Sequence, residues 1–594
     1  MDGASATQPG RVIPGPNPHA FSSPAIPTIF RLPPEILVAI LSQFCGHCQD
    51  SDLEREPDDV DEIMRNLHAL SSISRACKRM KAFAQPVLHH RFGPFSNATS
   101  PARLYQFVRT LIQRQDLADV VQILGLDGSP WFHSARNFQN GASVLRFVVR
   151  EETLTLMGQA ASQFGFDEGH FKFSIWDRSL RDWEQGNFRD WDNGTERIQP
   201  QKVTWGLLIW LACCLCRNVK SINFGKLFDS YHSGILCAGT PPLKSNAQVV
   251  RIHGPCHPET ARWGFHMGHI WGLTDAMPKL KTLQLAFARL HDGYEGMTDL
   301  LDEDPDIMAR PLPGTLNLHS LTRLDLVLCS LSKNGLSEVL QACINLTQFT
   351  FIEMNHDLVG MVDEHVPFCD QALTVQPEEL TEILQSHCSH LHRKLRCLTI
   401  EHLPKFGYSY DRVYSSIHKF TAVEELYLGA NGLLTSRHPP PIVPRLAPTL
   451  PPNIVLLHIF EARTWSKQIA NALTKLLLDI KYDKAEFTSL KEVRVSFRPM
   501  WPWLRYWSNR QTIEDGEEWY LGFREEDEIT PRVEELAREV GIELILEPQM
   551  VPPAIQELPN YRFVSPLAHL RSAGSDQGRG DGDSASEGSE EDGD

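Results

Sequence analysis

One six-residue pattern constrains this chain more than any other feature: apolar-x-x-apolar-x-apolar, found ten times. It begins at Val121 (VQILGL), Val219 (VKSINF), Ala247 (AQVVRI), Leu280 (LKTLQL), Leu321 (LTRLDL), Leu346 (LTQFTF), Leu395 (LRCLTI), Val423 (VEELYL), Ile454 (IVLLHI) and Leu490 (LKEVRV). The last two apolar positions of each hexad are two residues apart, so they point to one face of a short strand while the residue between them points to the other. Several hexads follow a stretch with helical periodicity: LYQFVRTLIQR before VQILGL, LLIWLACCLC before VKSINF, LSEVLQAC before LTQFTF and ELTEILQSHC before LRCLTI. Helix then strand, repeated, predicts an α/β chain in which parallel β-strands line a curved solenoid with helices outside.

This plan resembles the leucine-rich repeat. Two hexads extend to the ninth position of that repeat, LTRLDLVLC ending in Cys329 and VEELYLGAN ending in Asn431, where a side chain can cap backbone groups in the turn. The others lack Asn or Cys there, and successive hexads start between 25 and 98 residues apart, so the array is degenerate. It is expected to span 101–550. An insertion at about 128–201 contains Trp176, Trp183 and Trp191 among charges and glycines, and a second irregular stretch runs from Arg498 to Pro531. The helix VEELAREV and strand IELIL after it read as a closing cap.

In such an array the fifth hexad residue projects to the concave face. Those residues are Gly125, Asn223, Arg251, Gln284, Asp325, Thr350, Thr399, Tyr427, His458 and Arg494. All but the glycine are candidate target-binding residues, since the mixture of Arg, Asp, Tyr and His exceeds what solvation requires.

The N-terminal part has a different pattern. After a Pro/Gly/Ser-rich leader (1–27), expected to be disordered and neither a signal nor a transit peptide, comes RLPPEILVAILSQF. Pro33 and Pro34 suit a first helical turn and Glu35 complements the helix dipole. Ile36, Leu37, Ile40, Leu41 and Phe44 share one face of an amphipathic helix. A second helical stretch carries Leu67, Leu70, Ile73, Cys77 and Met80, until Pro86 breaks or kinks it. LPPEIL, ALSSISRACKRM and AFAQPVLHHRF resemble the F-box, especially that of fungal F-box proteins, over 28–95. The resemblance implies docking on the Skp-family adaptor of a cullin-based (SCF) ubiquitin ligase. Leu32, Pro33, Glu35, Ile36 and Ile40 on the first helix and Leu70, Ile73, Ser74 and Arg75 on the second would then lie in or near the adaptor interface. The chain departs from the family in an insert at about 45–66, where eight carboxylates between Asp50 and Glu62 face one base, Arg55. That insert is expected to loop into solvent.

The insert opens with Cys45-Gly46-His47-Cys48, a Cys-x-x-Cys. A redox role needs a thiolate favoured by positive potential, as at a helix N-terminus. Here the pair follows a helix C-terminus and precedes the carboxylates. A zinc reading would draw on His47, His68 and Cys77, but the spacing fits no standard pair of ligand pairs. His387, Cys388, His390 and His392, and His266 with His269, are read as packing or exposed residues. No phosphate loop, HExxH or GxSxG is present. Catalytic residues, cofactors and metals are accordingly expected to be none.

A formal net charge of -17 argues against nucleic acid as the main partner. The longest uncharged stretch, Val203 to Cys216, falls short of the ~20 residues of a membrane span. Thirteen cysteines without framework spacing suit a reducing cytoplasm or nucleus. After an extension (551–571), the acidic tail 572–594 is expected to be disordered. The resemblances together imply a non-enzymatic adaptor holding a protein target for a ubiquitin ligase. The alternatives are a leucine-rich scaffold that uses its F-box outside ubiquitination and, more distantly, a thiol oxidoreductase through Cys45 and Cys48.

Overall fold

The computed structural model describes residues 28–49, 60–93, 101–126, 151–167, 200–224, 245–253, 265–266, 277–286, 288–290, 318–353, 375–402, 414–415, 417–433, 445–460, 466–482, 487–496 and 531–547. The leader, most of the acidic insert, the three tryptophans of the insertion, the irregular stretch before Pro531, the extension and the tail lie outside the described residues.

Every hexad forms a strand that opens at its third residue. The strands are β2 (Ile123–Leu126), β3 (Ser221–Phe224), β4 (Val249–His253), β6 (Thr282–Ala286), β8 (Arg323–Leu331), β9 (Gln348–Glu353), β10 (Cys397–His402), β11 (Glu425–Gly429), β12 (Leu456–Phe460) and β13 (Glu492–Ser496). The ends are closed by β1 (Arg91–Phe92), which the hexad pattern misses, and β14 (Glu543–Glu547), the expected cap. These twelve lie in chain order in one parallel sheet, while β5 (Phe265–His266) and β7 (Ala288–Leu290) extend it beside β8. Parallel neighbours require a crossover between each pair of strands, and helices before the strands supply several. They include Pro101–Gln113, Pro200–Leu215, Lys333–Ala342, Ser466–Tyr482 and Pro531–Val540.

The register is set by the fourth hexad residue. Leu124, Ile222, Val250, Leu283, Leu324, Phe349, Leu398, Leu426, Leu457 and Val493 pair in an unbroken column that ends at Leu544. From Leu124 to Val493 the column is buried in a single core with the helices. A slip of one residue would turn the polar row inward, which is why the register holds across such unequal connections. Backbone bonds repeat it: the carbonyl of the second hexad residue accepts two N–H groups from the next hexad, as Thr347 does from Arg396 and Cys397 at 2.8 and 3.1 Å.

A side-chain rung lies at the position just before the hexad. Asn218, Asn246, Asn345 and Asn453 each donate Nδ2–H to a carbonyl two residues before the preceding hexad, those of Asp119, Arg217, His319 and Thr421, at 2.7–2.9 Å. Lys394 uses its ammonium on the Ile344 carbonyl in the same place, at 2.7 Å. The ninth-position cap is only partly seen. Cys329 reaches the Leu285 carbonyl at 3.5 Å, and the Asn431 side chain is outside the description.

Helix Pro200–Leu215 is apolar around its circumference and buried from Leu208 to Leu215, as an interior helix should be. Among the described residues no helix is long and apolar enough to cross a membrane.

The N-terminal unit is helical: α1 (Pro34–Ser42), α2 (Gly46–Gln49), α3 (Val60–Ala76) and α4 (Lys78–Leu88). The expected second helix is two, because Cys77 is extended and its sulfur caps α4 by accepting the Met80 N–H. Pro86 stands inside α4, close to its end. The tetrapeptide expected to begin a loop is instead mostly helical, as the single turn α2. Leu37, Leu41, Cys45, Leu70, Met80, Ala84 and Val87 form a small separate core. The unit runs straight into the sheet: the His90 carbonyl accepts N–H groups from Gln122 and Ile123 at 2.8 and 3.0 Å. Gly93, at the exit of β1, has φ of +127°, and a Cβ there would come 2.2 Å from the Gly125 carbonyl oxygen. Only glycine serves at that crossing.

Candidate functional site

The outer face of the helical unit is the first candidate. The apolar residues of α1 divide: Leu37 and Leu41 face the small core, whereas Ile36 is 48% exposed, Val38 40% and Ile40 39%. Pro33 and Glu35 are exposed beside them, and Leu32 is half-buried with its carbonyl accepting from the Arg79 guanidinium at 3.0 Å. On α3, Ile73 and Ser74 are half-buried and Arg75 is exposed. Leu70 differs from its expected role: it is fully buried in the small core and supports the face from beneath. Val38, which the motif comparison passed over, joins the exposed group. A run apolar on two sides of one helix was its signal.

The second candidate is the polar row of the sheet. Gly125, Asn223, Arg251, Gln284, Asp325, Thr350, Thr399, Tyr427, His458 and Arg494 are register partners from strand to strand, one continuous line across ten strands. The line is not the exposed surface expected of a concave face. Arg251, Gln284, Asp325, Thr350, Thr399, Tyr427 and His458 are all buried, and only Gly125, Asn223 and Arg494 near its ends are half-exposed. Neighbouring strands are about 4.8 Å apart, so long side chains in one row cover each other and bond sideways. Asp325 accepts from the Arg323 guanidinium at 2.9 Å, Arg251 reaches the Ser221 hydroxyl at 3.4 Å, and His458 Nε2 meets the Ser496 hydroxyl at 2.6 Å. Burial, then the Arg494 charge, lowers the His458 pKa to about 4, so its ring is neutral at physiological pH.

The third candidate joins the ends of α1 and α4. Cys45, His47, Cys48 and His90 bring one ligand atom each to within 4.8 Å of all the others. Cys48 Sγ lies 3.2 Å from His90 Nδ1 and 3.7 Å from His47 Nδ1, and Cys45 Sγ lies 3.9 Å from His90 Nδ1. The imidazoles of His47 and His90 meet edge to face with centroids 5.4 Å apart. His68 and Cys77, the ligands nearest in sequence, are not part of the group. His68 is exposed on α3, and the Cys77 sulfur caps α4. His90 was missed because it follows Cys48 by 42 residues; the only trace is the pair His89-His90 where helical periodicity stops. As a redox pair the cysteines are poorly placed. Burial, reinforced by the neighbouring Cys48, pushes the Cys45 thiol up to about 11, leaving little thiolate to attack a disulfide.

The other histidine cluster does not converge. His387 bonds the Ser337 hydroxyl at 2.7 Å, Cys388 is in the large core, and His392 packs edge-on against Phe420. His269 lies outside the described residues. All ten described cysteines are free thiols. In comparisons with known proteins the chain matches no family model and no curated protein.

Proposed function

We propose that the chain is a substrate-recruiting subunit of a cullin-based ubiquitin ligase: an F-box at 28–95 docks on a Skp-family adaptor, and a degenerate leucine-rich-repeat domain holds the protein target. The observation that carries this reading is the outer face of α1. Ile36, Val38 and Ile40 stay exposed although the same helix already fills its own core with Leu37 and Leu41. A small helical unit gains stability by burying such a face against a partner. The residues that border it, Leu32, Pro33 and Glu35, belong to the F-box resemblance. The ordered parallel sheet, one hexad to a strand, supports the repeat assignment.

On this reading the chain makes and breaks no bonds. It raises the effective concentration of target beside the transfer machinery, in the cytoplasm or nucleus where that machinery works. Target contact then falls to the half-exposed ends of the polar row, Asn223 and Arg494, and to the exposed Gln348 and Glu425 alongside it. The buried centre holds the surface in shape.

The test is co-purification of adaptor and cullin with the full-length chain and with an Ile36→Glu, Ile40→Glu double variant. Wild type should retain both and the variant neither, with unchanged circular dichroism. Adaptor captured equally by the two proteins, or by neither, overturns the interface. Adaptor without cullin overturns the ligase.

A further inference from the structure

The four side chains at the junction of helical unit and sheet have no role in the proposed function. Two thiols and two imidazoles in one cluster are the donor set that selects Zn²⁺ over hard cations. In a tetrahedron with Zn–S of about 2.3 Å and Zn–N of about 2.0–2.1 Å, ligand atoms lie about 3.3–3.8 Å apart. The sulfur–nitrogen separations of 3.2, 3.7 and 3.9 Å straddle that range, and none of the six ligand-atom pairs exceeds 4.8 Å. Closure around an ion needs shifts of only about 1 Å.

The surroundings agree. The α2 helix is four residues long, far below the length at which a helix holds itself, yet it carries two of the donors. The turn that presents them is entered through a backbone bond from the Cys48 N–H to the Cys45 carbonyl at 2.9 Å. His90 reaches the cluster from the opposite side, held by the two N–H groups of Gln122 and Ile123 on its carbonyl. Cys45 is buried and the other three are half-buried or exposed, so an ion could enter from solvent.

We propose that Cys45, His47, Cys48 and His90 form a structural zinc site that ties the end of α1 to the first strands of the repeat sheet. Binding is a ligand exchange without redox change: Zn²⁺ takes two thiolates and two neutral imidazoles, and the two thiol protons go to solvent. All four positions are filled by protein, so the site holds no water to activate and is closed in the manner of structural rather than catalytic zinc. The ion closes a loop that contains α3, α4 and the acidic insert, restricting the unfolded chain as a disulfide does while tolerating a reducing compartment. It also gives the adaptor-facing helix a fixed orientation relative to the repeats.

The experiment is metal analysis of the full-length chain, purified with reductant and without chelator, beside a Cys48→Ser, His90→Ala variant and a His68→Ala, Cys77→Ser control. Wild type and control should each hold one equivalent of zinc more than the variant. Replacement by Co²⁺ should give the ligand-field bands of a tetrahedral site and a thiolate-to-cobalt charge-transfer band. A second measurement needs no variant: native Cys48 should resist iodoacetamide until a zinc chelator is added, as mapped by mass spectrometry. Equal metal in wild type and variant, no cobalt charge transfer, a Cys45–Cys48 disulfide in place of metal, or alkylation of Cys48 indifferent to chelator would each overturn the proposal.

Discussion

The helical unit and the repeat sheet treat their surfaces in opposite ways. In α1 apolar residues occupy both sides, so that Leu37 and Leu41 are covered while Ile36, Val38 and Ile40 are not. In the sheet even the polar side is covered: Arg251, Asp325, Thr399 and His458 are as inaccessible as many core leucines. A surplus of exposed apolar area marks where the molecule is incomplete by itself. A buried polar row marks where side chains of neighbouring strands cover one another, which leaves little for a partner to read.

The largest expected effect tests whether the two regions are separate. Leu398→Ala removes a fully buried side chain from the central column and should cost about 2–5 kcal/mol, read as a lowered urea midpoint of the sheet. Leu37→Ala should unfold the helical unit and leave that midpoint where it was, because the two cores are distinct clusters. If Leu37→Ala lowers the sheet midpoint equally, the regions form one cooperative unit and the contrast between them fails.

Acid should act on the sheet next. The folded-state pKa of His458, about 4, lies below its ordinary 6.5, so between those values the unfolded chain binds a proton that the folded chain refuses. Stability is full above pH 6.5 and falls as pH drops towards 4, by about 3 kcal/mol from this residue. His458→Gln should flatten the loss, seen as a smaller difference in urea midpoint between pH 7 and pH 4.5. An unchanged slope would show that the row is wetter than its burial implies.

Smaller again is the rung before the hexads. Asn345→Ala deletes a 2.8 Å bond to the His319 carbonyl and should cost about 0.5–1.5 kcal/mol of sheet stability. Asn345→Asp, which keeps the shape without the donor, should cost at least as much. The smallest stability effect belongs to Ile36→Glu, within about 0.5 kcal/mol by thermal melting, since the side chain is nearly half exposed. A large loss there would mean that the outer face of α1 is already covered within the molecule, and would erase the difference between the regions.

Much of the sheet was legible because its signal is local. A hexad carries its own periodicity, so Leu395, Leu398 and Ile400 announce a strand and an inward face without reference to any other part of the chain. The helix of 333–342 and the cap at 531–547 were readable for the same reason. Less legible was anything shared between strands. The Asn rung was visible as NVKSIN, NLTQFTF and NIVLLHI, but its meaning depends on a carbonyl in the preceding repeat. The break at Cys77 was hidden because the apolar spacing runs on unchanged through it.

The sequence by itself determined the hexad strands, their parallel order and the inward column, because hydrophobic periodicity with a helix before the strand leaves few other solutions. Tertiary structure alone decided three things: that the polar row is covered, that Leu70 lies in the small core beneath the exposed face of α1, and that His90 meets Cys45, His47 and Cys48. Each depends on where the chain returns after tens of residues. Burial and ligand geometry are properties of that path through space, and residue spacing along the chain does not contain it.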